Sequence, residues 1–152
     1  MCPVCRRPMV VYEFEGVEVD HCLECEGVWL DAGELELLTD LGGVRAGGLS
    51  AALGRAEALA RSRRRCPRCR RRLRSVAVTG GHAPGWSGPG SAGHREEKVV
   101  EINRCPRGHG LWFDKGEMET LVRSFSEGQE GAVARFFGEL YRGSLWTPSG
   151  GR

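Results

Sequence analysis

Two stretches of the chain repeat one pattern, CLECEGVWLDAGEL at residues 22–35 and CPRGHGLWFDKGEM at residues 105–118. In both, a tryptophan lies seven residues after the first cysteine, an aspartate follows two residues later, and a Gly-Glu pair precedes an apolar residue. Each stretch has an upstream Cys-Pro-x-Cys-Arg-Arg partner, at residues 2–7 and 66–71. The repeat predicts two copies of one metal-binding unit.

The first four cysteines follow the spacing C-x2-C-x16-C-x2-C, which is typical of two zinc knuckles at one end of a small sheet. Between the pairs, residues 9–20 alternate around Glu15-Gly16, which predicts a tight β-hairpin. Four thiolates close the tetrahedron and exclude water, so the predicted zinc is structural. His21 is an alternative ligand. The predicted ligands are Cys2, Cys5, Cys22 and Cys25.

The second site lacks a fourth cysteine. Gly108 occupies the position equivalent to Cys25, and glycine cannot bind zinc. His109 lies one position later, and because an imidazole reaches further than a thiolate, Cys-x3-His can replace Cys-x2-Cys. His82 and His94, in a Gly-, Ser- and Pro-rich insertion, are competing candidates. The predicted ligands are Cys66, Cys69, Cys105 and His109.

The two predicted sites, each with one Zn²⁺, differ in charge. Four thiolates give the first a net charge of about −2, whereas three thiolates and a neutral histidine give the second about −1. We therefore expect a chelator to remove the two ions in distinct steps. An open second site, with three cysteines and water, is the catalytic alternative.

The pattern predicts a small, metal-stabilised α+β protein built from two zinc ribbons, each a β-hairpin with zinc knuckles followed by a short helix. Zinc ribbon 1 spans residues 1–41. Zinc ribbon 2 spans residues 66–127 and contains a hairpin insertion at 79–97. Asp31 and Glu34, like their counterparts in the second copy (Asp114 and Glu117), form a predicted capping box rather than a catalytic pair.

Two further helices are predicted outside the ribbons. Residues 42–65 form a Gly-rich hinge and a linker helix over 50–64, with Ser50 as its N-cap. Residues 128–152 form a C-terminal amphipathic helix and a tail. The helix face is expected to pack on the second ribbon, or to serve a protein partner or self-association. Its apolar residues are Val133, Phe136, Phe137 and Leu140.

Composition limits the core. Of 152 residues only 7% are aromatic and 23 are glycine, and units of roughly 40–60 residues seldom fold without a metal or disulfides. We therefore expect Trp29 and Trp112 to cover the zinc knuckle and the first helical turn, rather than to anchor a ligand.

Cysteine usage indicates a reducing compartment. Seven cysteines fit a complete disulfide framework poorly, and no signal peptide precedes Cys2. In that setting Cys-x-x-Cys pairs are typical of metal ligands. No apolar run is long enough to span a bilayer. We expect a cytoplasmic protein with no membrane partner.

With these motifs, residues 2–41 closely resemble the transcription-factor-IIB-type zinc-ribbon family of small bacterial proteins. Residues 66–125 resemble it too, apart from His109 and the insertion, so the chain resembles a tandem copy. The resemblance implies the ribbon fold and the zinc. The comparison with the transcription factor implies work on nucleic acid by analogy.

Charge is segregated along the chain. Residues 1–40 carry ten acidic residues against two arginines, whereas residues 41–75 carry eleven arginines against Glu57. The run Arg61–Arg74 predicts a nucleic-acid partner, because clustered guanidinium groups neutralise phosphates. The alternative is a face paired with the acidic first ribbon of the same molecule. The predicted nucleic-acid-binding residues are Arg64, Arg65, Arg68, Arg70, Arg71, Arg72 and Arg74.

Together these features predict a zinc-binding, non-enzymatic module that binds nucleic acid or is associated with transcription. The alternative is a zinc-stabilised protein–protein adaptor or assembly factor. Closed metal sites disfavour a hydrolase, and the ribbon context without a βαβ pattern disfavours a thiol oxidoreductase. No small-molecule substrate is expected.

Overall fold

A computed structural model of the chain describes residues 1–41, 46–79, 99–125 and 131–142. In these ranges the chain forms seven strands and four helices. The strands are β1 (Val10–Phe14), β2 (Val17–His21), β3 (Val28–Asp31), β4 (Glu57–Arg65), β5 (Arg72–Thr79), β6 (Val99–Arg104) and β7 (Gly110–Phe113). The helices are α1 (Glu34–Leu41), α2 (Ala46–Arg55), α3 (Glu117–Phe125) and α4 (Gly131–Arg142).

The seven strands lie in one antiparallel sheet, in the order β1-β2-β3-β7-β6-β5-β4. We call residues 1–41 the first unit and residues 57–125 the second unit. They join where β3 pairs with β7, and there Trp29 lies opposite Trp112. Because the β3 sequence recurs 83 positions later in β7, this register relates the units by an approximate two-fold axis between the tryptophans.

The two faces of the sheet bury different residues. Val28 and Leu30 of β3 point to the face that carries the helices, where they join the larger apolar cluster. Trp29, between them, points to the opposite face and joins a second cluster that contains the cysteines. The zinc ligands and both tryptophans therefore share one buried cluster, separate from the helix-covered core.

The first hairpin turns at Glu15-Gly16, between β1 and β2. Both residues have left-handed backbone conformations, with φ of 47° and 84°, as a two-residue type I′ turn requires. Phe14 pairs with Val17 directly across the turn. This register buries Val17 and leaves the neighbouring Glu18 exposed, so one face of the hairpin packs on the core.

The linker helix predicted over 50–64 is wrong in its second half. Helix α2 ends at Arg55, and residues Glu57–Arg65 form the edge strand β4, paired with β5. Ser50 lies inside α2 rather than at its N-cap. The helical spacing of Leu53, Ala56 and Leu59 is overridden because hydrogen bonding to β5 extends the sheet, and Leu59 stays 55% exposed. The units are therefore joined by β3–β7 pairing as well as by the connecting segment.

Helix α4 packs on the first unit, whereas the sequence favoured the second. Phe136 makes edge-to-face contacts with Phe14 and Tyr12 of β1, and Tyr141 lies against His21 of β2. Tyr12 also donates a 2.7 Å hydrogen bond to Glu139. This part of the apolar face is thus buried inside the chain, with Phe136, Phe137 and Leu140 at most 2% exposed.

Several predicted features lie outside the described residues. They are the beginning of the hinge at 42–45, nearly all of the insertion at 79–97 with His82 and His94, and the tail from residue 143. The side chain of Val133 lies outside the description as well. Among the described helices, none has the length and apolar character needed to cross a bilayer.

Candidate metal centres

The first four cysteines converge at one end of the β1–β2 hairpin. The Sγ of Cys2 lies 3.6 Å from those of Cys5 and Cys25, and the Sγ of Cys5 lies 3.5 Å from that of Cys22. A tetrahedral zinc with Zn–S bonds of about 2.3 Å holds its sulfurs about 3.8 Å apart. The spacing of this group therefore fits one zinc ion.

The second group contains three cysteines and His109. Cys69 and Cys105 have their Sγ atoms 3.7 Å apart, and the Nδ1 of His109 lies 3.6 Å from the Sγ of Cys105 and 3.9 Å from that of Cys66. In each group all four ligand atoms lie within 4.8 Å of one another. The chain therefore carries two groups of ligands that can hold two zinc ions, as predicted.

A tighter turn explains how His109 replaces a cysteine. In the first three knuckles the backbone N–H four residues after the leading cysteine donates to that cysteine's carbonyl, as Glu26 donates to Cys22 at 2.8 Å. In the fourth knuckle the bond comes one residue earlier, from Gly108 to Cys105 at 3.0 Å. Gly108 supplies the left-handed conformation, with φ of 76°, and His109 follows it into the site.

Backbone donors and burial shift the pKa values of the thiols in the second group in opposite directions. A backbone N–H donated by Arg71 lowers the pKa of Cys69 to about 7, while burial raises the pKa of Cys66 to about 11. Backbone N–H groups also donate to sulfur, from Arg68 to Cys66 and from Arg107 to Cys105, both at 3.4 Å. Thiolates this close repel each other, and a divalent ion between them removes that cost.

His21, the alternative ligand for the first site, points away from it. Its side chain is 2% exposed, on the helix face of the sheet, with its ring against Tyr141. Burial lowers the pKa of His21. Within the described residues it belongs to neither ligand group.

The predicted capping box forms only in part. The Glu34 carboxylate accepts a 2.7 Å hydrogen bond from the Asp31 backbone N–H, as expected. The Asp31 carboxylate instead accepts from the Trp29 indole at 2.8 Å. The second copy repeats both contacts. The Asp114 carboxylate accepts from the Trp112 indole at 3.1 Å, and the Glu117 carboxylate accepts from the Asp114 backbone N–H at 2.7 Å. The aspartates therefore orient the tryptophans.

Each tryptophan packs against a glycine of the other unit, a role that the sequence analysis missed. A methyl group added at Gly27 would lie 2.2 Å from Cζ2 of Trp112. One added at Gly110 would lie 2.8 Å from Cζ2 of Trp29 and 2.1 Å from the Leu30 carbonyl oxygen. The signal was present, because Gly27 and Gly110 occupy the same position in the repeated pattern.

Two of the seven predicted nucleic-acid-binding arginines are used internally. Arg68, in the second unit, bridges Asp31 at 2.6 Å and Asp20 at 2.8 Å in the first. Arg64 pairs with Asp114 at 2.6 Å. Arg68 therefore pairs with the acidic first ribbon, which was the alternative to nucleic-acid binding.

The other five arginines line two grooves. The knuckle groove, about 420 Å³, lies between residues 1–6 and 63–70 and contains Arg65 and Arg70 together with Arg6 and Arg63. The hairpin groove, about 300 Å³, is lined by Arg61, Arg71, Arg72, Arg74 and Pro106. Arg6 was not among the predicted nucleic-acid-binding residues, although its position recurs as Arg70 in the second Cys-Pro-x-Cys-Arg-Arg motif.

Comparison with known proteins finds a family match for the first unit. No curated protein and no solved structure matches the chain significantly. Residues 1–40, about a quarter of the chain, match the family described as transcription factor zinc-finger. The second ligand group, in the repeated sequence, is consistent with a tandem copy. Residues 1–40 are thus similar to zinc ribbons of the transcription-factor-IIB type.

Proposed function

We propose that the protein is a non-enzymatic nucleic-acid-binding module whose fold is held by two structural zinc ions. Each ligand group supplies four donors, which completes the tetrahedral coordination that structural zinc prefers. The zinc would then stabilise the knuckles, and binding would fall to the surface beside them. The hairpin groove is the observation that carries this proposal.

Arginines lie opposite one another across β4 and β5. Arg61 and Arg74, which both line the hairpin groove, pair in register, and Arg72 of the same groove pairs with Arg65 of the knuckle groove. Like charges directly opposite in an antiparallel ladder destabilise it. A bound polyanion would relieve this repulsion, and guanidinium groups bind phosphate oxygens in a bidentate manner.

The groove is not neutralised from within the described chain. Among described residues, no carboxylate forms a salt bridge with Arg61, Arg71, Arg72 or Arg74. All four side chains are exposed. This distinguishes them from Arg64 and Arg68, whose guanidinium groups are engaged by aspartates.

The second candidate is a protein–protein adaptor. The apolar face of α4 is largely covered by the first unit, so a partner would need another surface. Strand β1 offers one, because it is an edge of the sheet and exposes Val10 and Val11. An edge strand can accept a partner's strand through main-chain hydrogen bonds.

The test is binding of fluorescent mixed-sequence duplex DNA and single-stranded RNA across a salt series. The wild type should bind at least one, and Arg71→Gln/Arg72→Gln/Arg74→Gln should reduce the slope of log affinity against log salt by about 3 on a duplex. Arg55→Gln, an exposed arginine at the end of α2, is the control. No binding by the wild type at low salt would overturn the proposal and leave the adaptor.

A further inference from the structure

We infer that the knuckle groove is a second phosphate-binding site, in which Arg6 and Arg70 contact the backbone of the bound nucleic acid from opposite walls. The inference rests on the proposed function and extends it to residues of both units. It assigns a binding role to the first Cys-x-x-Cys turn.

The groove follows the approximate two-fold symmetry of the molecule. Its walls contain the same residues from the two upstream motifs, which lie 64 positions apart in the chain. These pairs are Cys2 with Cys66, Pro3 with Pro67, and Arg6 with Arg70. Fusing the two units thus creates a concave site that neither unit has alone.

The zinc-binding turns hold Arg6 and Arg70 in place. Their backbone N–H groups donate to the carbonyls of Cys2 and Cys66, at 3.1 Å and 2.9 Å. Both residues have left-handed backbones, with φ of 60° and 61°. A residue with a Cβ atom is disfavoured there by about 1 kcal/mol, and glycine or asparagine would fit better. Arginine occurs in both copies nonetheless, which indicates a use for the side chain.

Glu26 offers a comparison for these two arginines. It occupies the matching turn position of the second knuckle, with φ of 56°, and it forms a salt bridge with Lys115 of the other unit. Arg6 and Arg70 have no salt bridge to any described carboxylate. Their exposed charges are therefore available to an anion.

Two further guanidinium groups complete the site. Arg65 donates from Nη1 to the carbonyl of Arg70 at 3.1 Å, which orients it on the groove wall. Arg63 lies on the same wall, and none of the described residues that line the groove is a carboxylate. Four arginines thus surround a groove with a volume of about 420 Å³. This arrangement suits phosphate groups, because each phosphate can accept hydrogen bonds from several N–H donors.

The two grooves are contiguous along the chain. Arg70 lines the knuckle groove, and Arg71, the next residue, lines the hairpin groove. A nucleic-acid backbone crossing the turn at residues 70–71 can therefore contact both. This continuity favours a polymer over a single small phosphate.

The experiment measures binding of a mixed-sequence duplex DNA by Arg6→Gln/Arg70→Gln over a salt series. The variant should bind about tenfold or more weakly near 100 mM salt, with a log–log slope reduced by about 2. Arg7→Gln is the control for charge, since Arg7 is exposed beside Arg6 but does not line the groove. Zinc content of two ions per chain verifies the fold of each variant.

Three outcomes separate the two proposals. Weaker binding and a lower slope only in the double variant support the groove. A double variant that matches Arg7→Gln, while the wild type binds, overturns the groove and leaves the hairpin surface intact. A wild type that binds neither duplex nor single strand at low salt overturns both.

Discussion

Trp29 and Trp112 lie directly opposite each other where β3 pairs with β7. The indole of Trp29 packs against Gly110, at the start of β7, and that of Trp112 packs against Gly27, just before β3. Both rings are fully buried and share a cluster with the zinc-binding cysteines. Each indole N–H is held by an aspartate two residues later. The repeated pattern therefore encodes an interface between its own two copies, as well as two metal sites.

Gly27→Ala should destabilise the protein by about 1–3 kcal/mol, because the added methyl group overlaps the Trp112 ring. Gly110→Ala should cost at least as much, since the Leu30 carbonyl oxygen is backbone and cannot rotate away. Urea unfolding of the zinc-loaded protein measures both, with zinc content determined in parallel.

Gly54→Ala is the control for this pair. Gly54 lies in helix α2 with open space where the methyl group would go, so the change should stabilise by about 0.5–1 kcal/mol. If Gly27→Ala were as stable as the wild type, the close packing between the units would be wrong.

The ligand sets were accessible from sequence because zinc imposes both residue type and spacing on a short segment. The edge strand β4 could not be predicted in this way. Residues Glu57–Arg61 are all exposed, so their sequence lacks the alternation of apolar and polar residues that indicates a strand. The joining of the units by β3 and β7 was also missed. These strands are only four residues long, and their pairing depends on contacts between segments 83 positions apart.

Arg68→Gln should destabilise the protein by no more than about 1 kcal/mol, because the side chain is 47% exposed. Arg68 joins the units through ion pairs with Asp31 and Asp20. Because salt screens exposed ion pairs, the loss of stability should become smaller as the salt concentration rises. The hydrogen bonds from Arg68 lower the pKa of Asp31, so the variant should also raise that pKa, measurable by NMR titration of the carboxyl carbon.

Arg70→Gln is the matched variant for Arg68→Gln. Arg70 lies two residues away and has no described ionic partner, so its replacement should change stability by less than about 0.5 kcal/mol. Equal losses in the two variants, or a loss for Arg68→Gln that is independent of salt, would contradict the bridge between the units.

Glu117→Gln should stabilise the protein at pH 7.5 by about 1 kcal/mol, after allowance for partial exposure. Burial raises the pKa of Glu117 to about 6, so the folded state binds more protons than the unfolded state between the ordinary glutamate pKa and pH 6. The wild type therefore loses stability as pH rises through that window. Glutamine keeps the acceptor for the Asp114 N–H without the partly buried charge.

The pH profile distinguishes this effect from a general one. The difference in unfolding free energy between Glu117→Gln and the wild type should shrink as pH falls from 7.5 towards 5.5. Glu13→Gln, on the exposed side of β1, is the control for replacing a surface glutamate. A difference that does not vary with pH would show that the carboxylate charge is not its source.

His109→Ala should lower the bound zinc from two ions per chain to one, because Nδ1 of His109 closes the second group of ligands. His21→Gln should retain both ions, since His21 lies on the opposite face of the sheet and in neither group. Elemental analysis of the purified variants, with native mass, gives the stoichiometry directly. Two ions in His109→Ala would show that another residue completes the second site.

Chelator titration of the wild type should release the two ions in separate steps, because the sites differ by one thiolate and by about one unit of net charge. The variant assigns the steps. If the step that disappears in His109→Ala is the one seen at lower chelator concentration, the histidine-containing site is the weaker one. A single wild-type step that releases both ions would instead indicate that the β3–β7 interface couples the two sites into one cooperative unit.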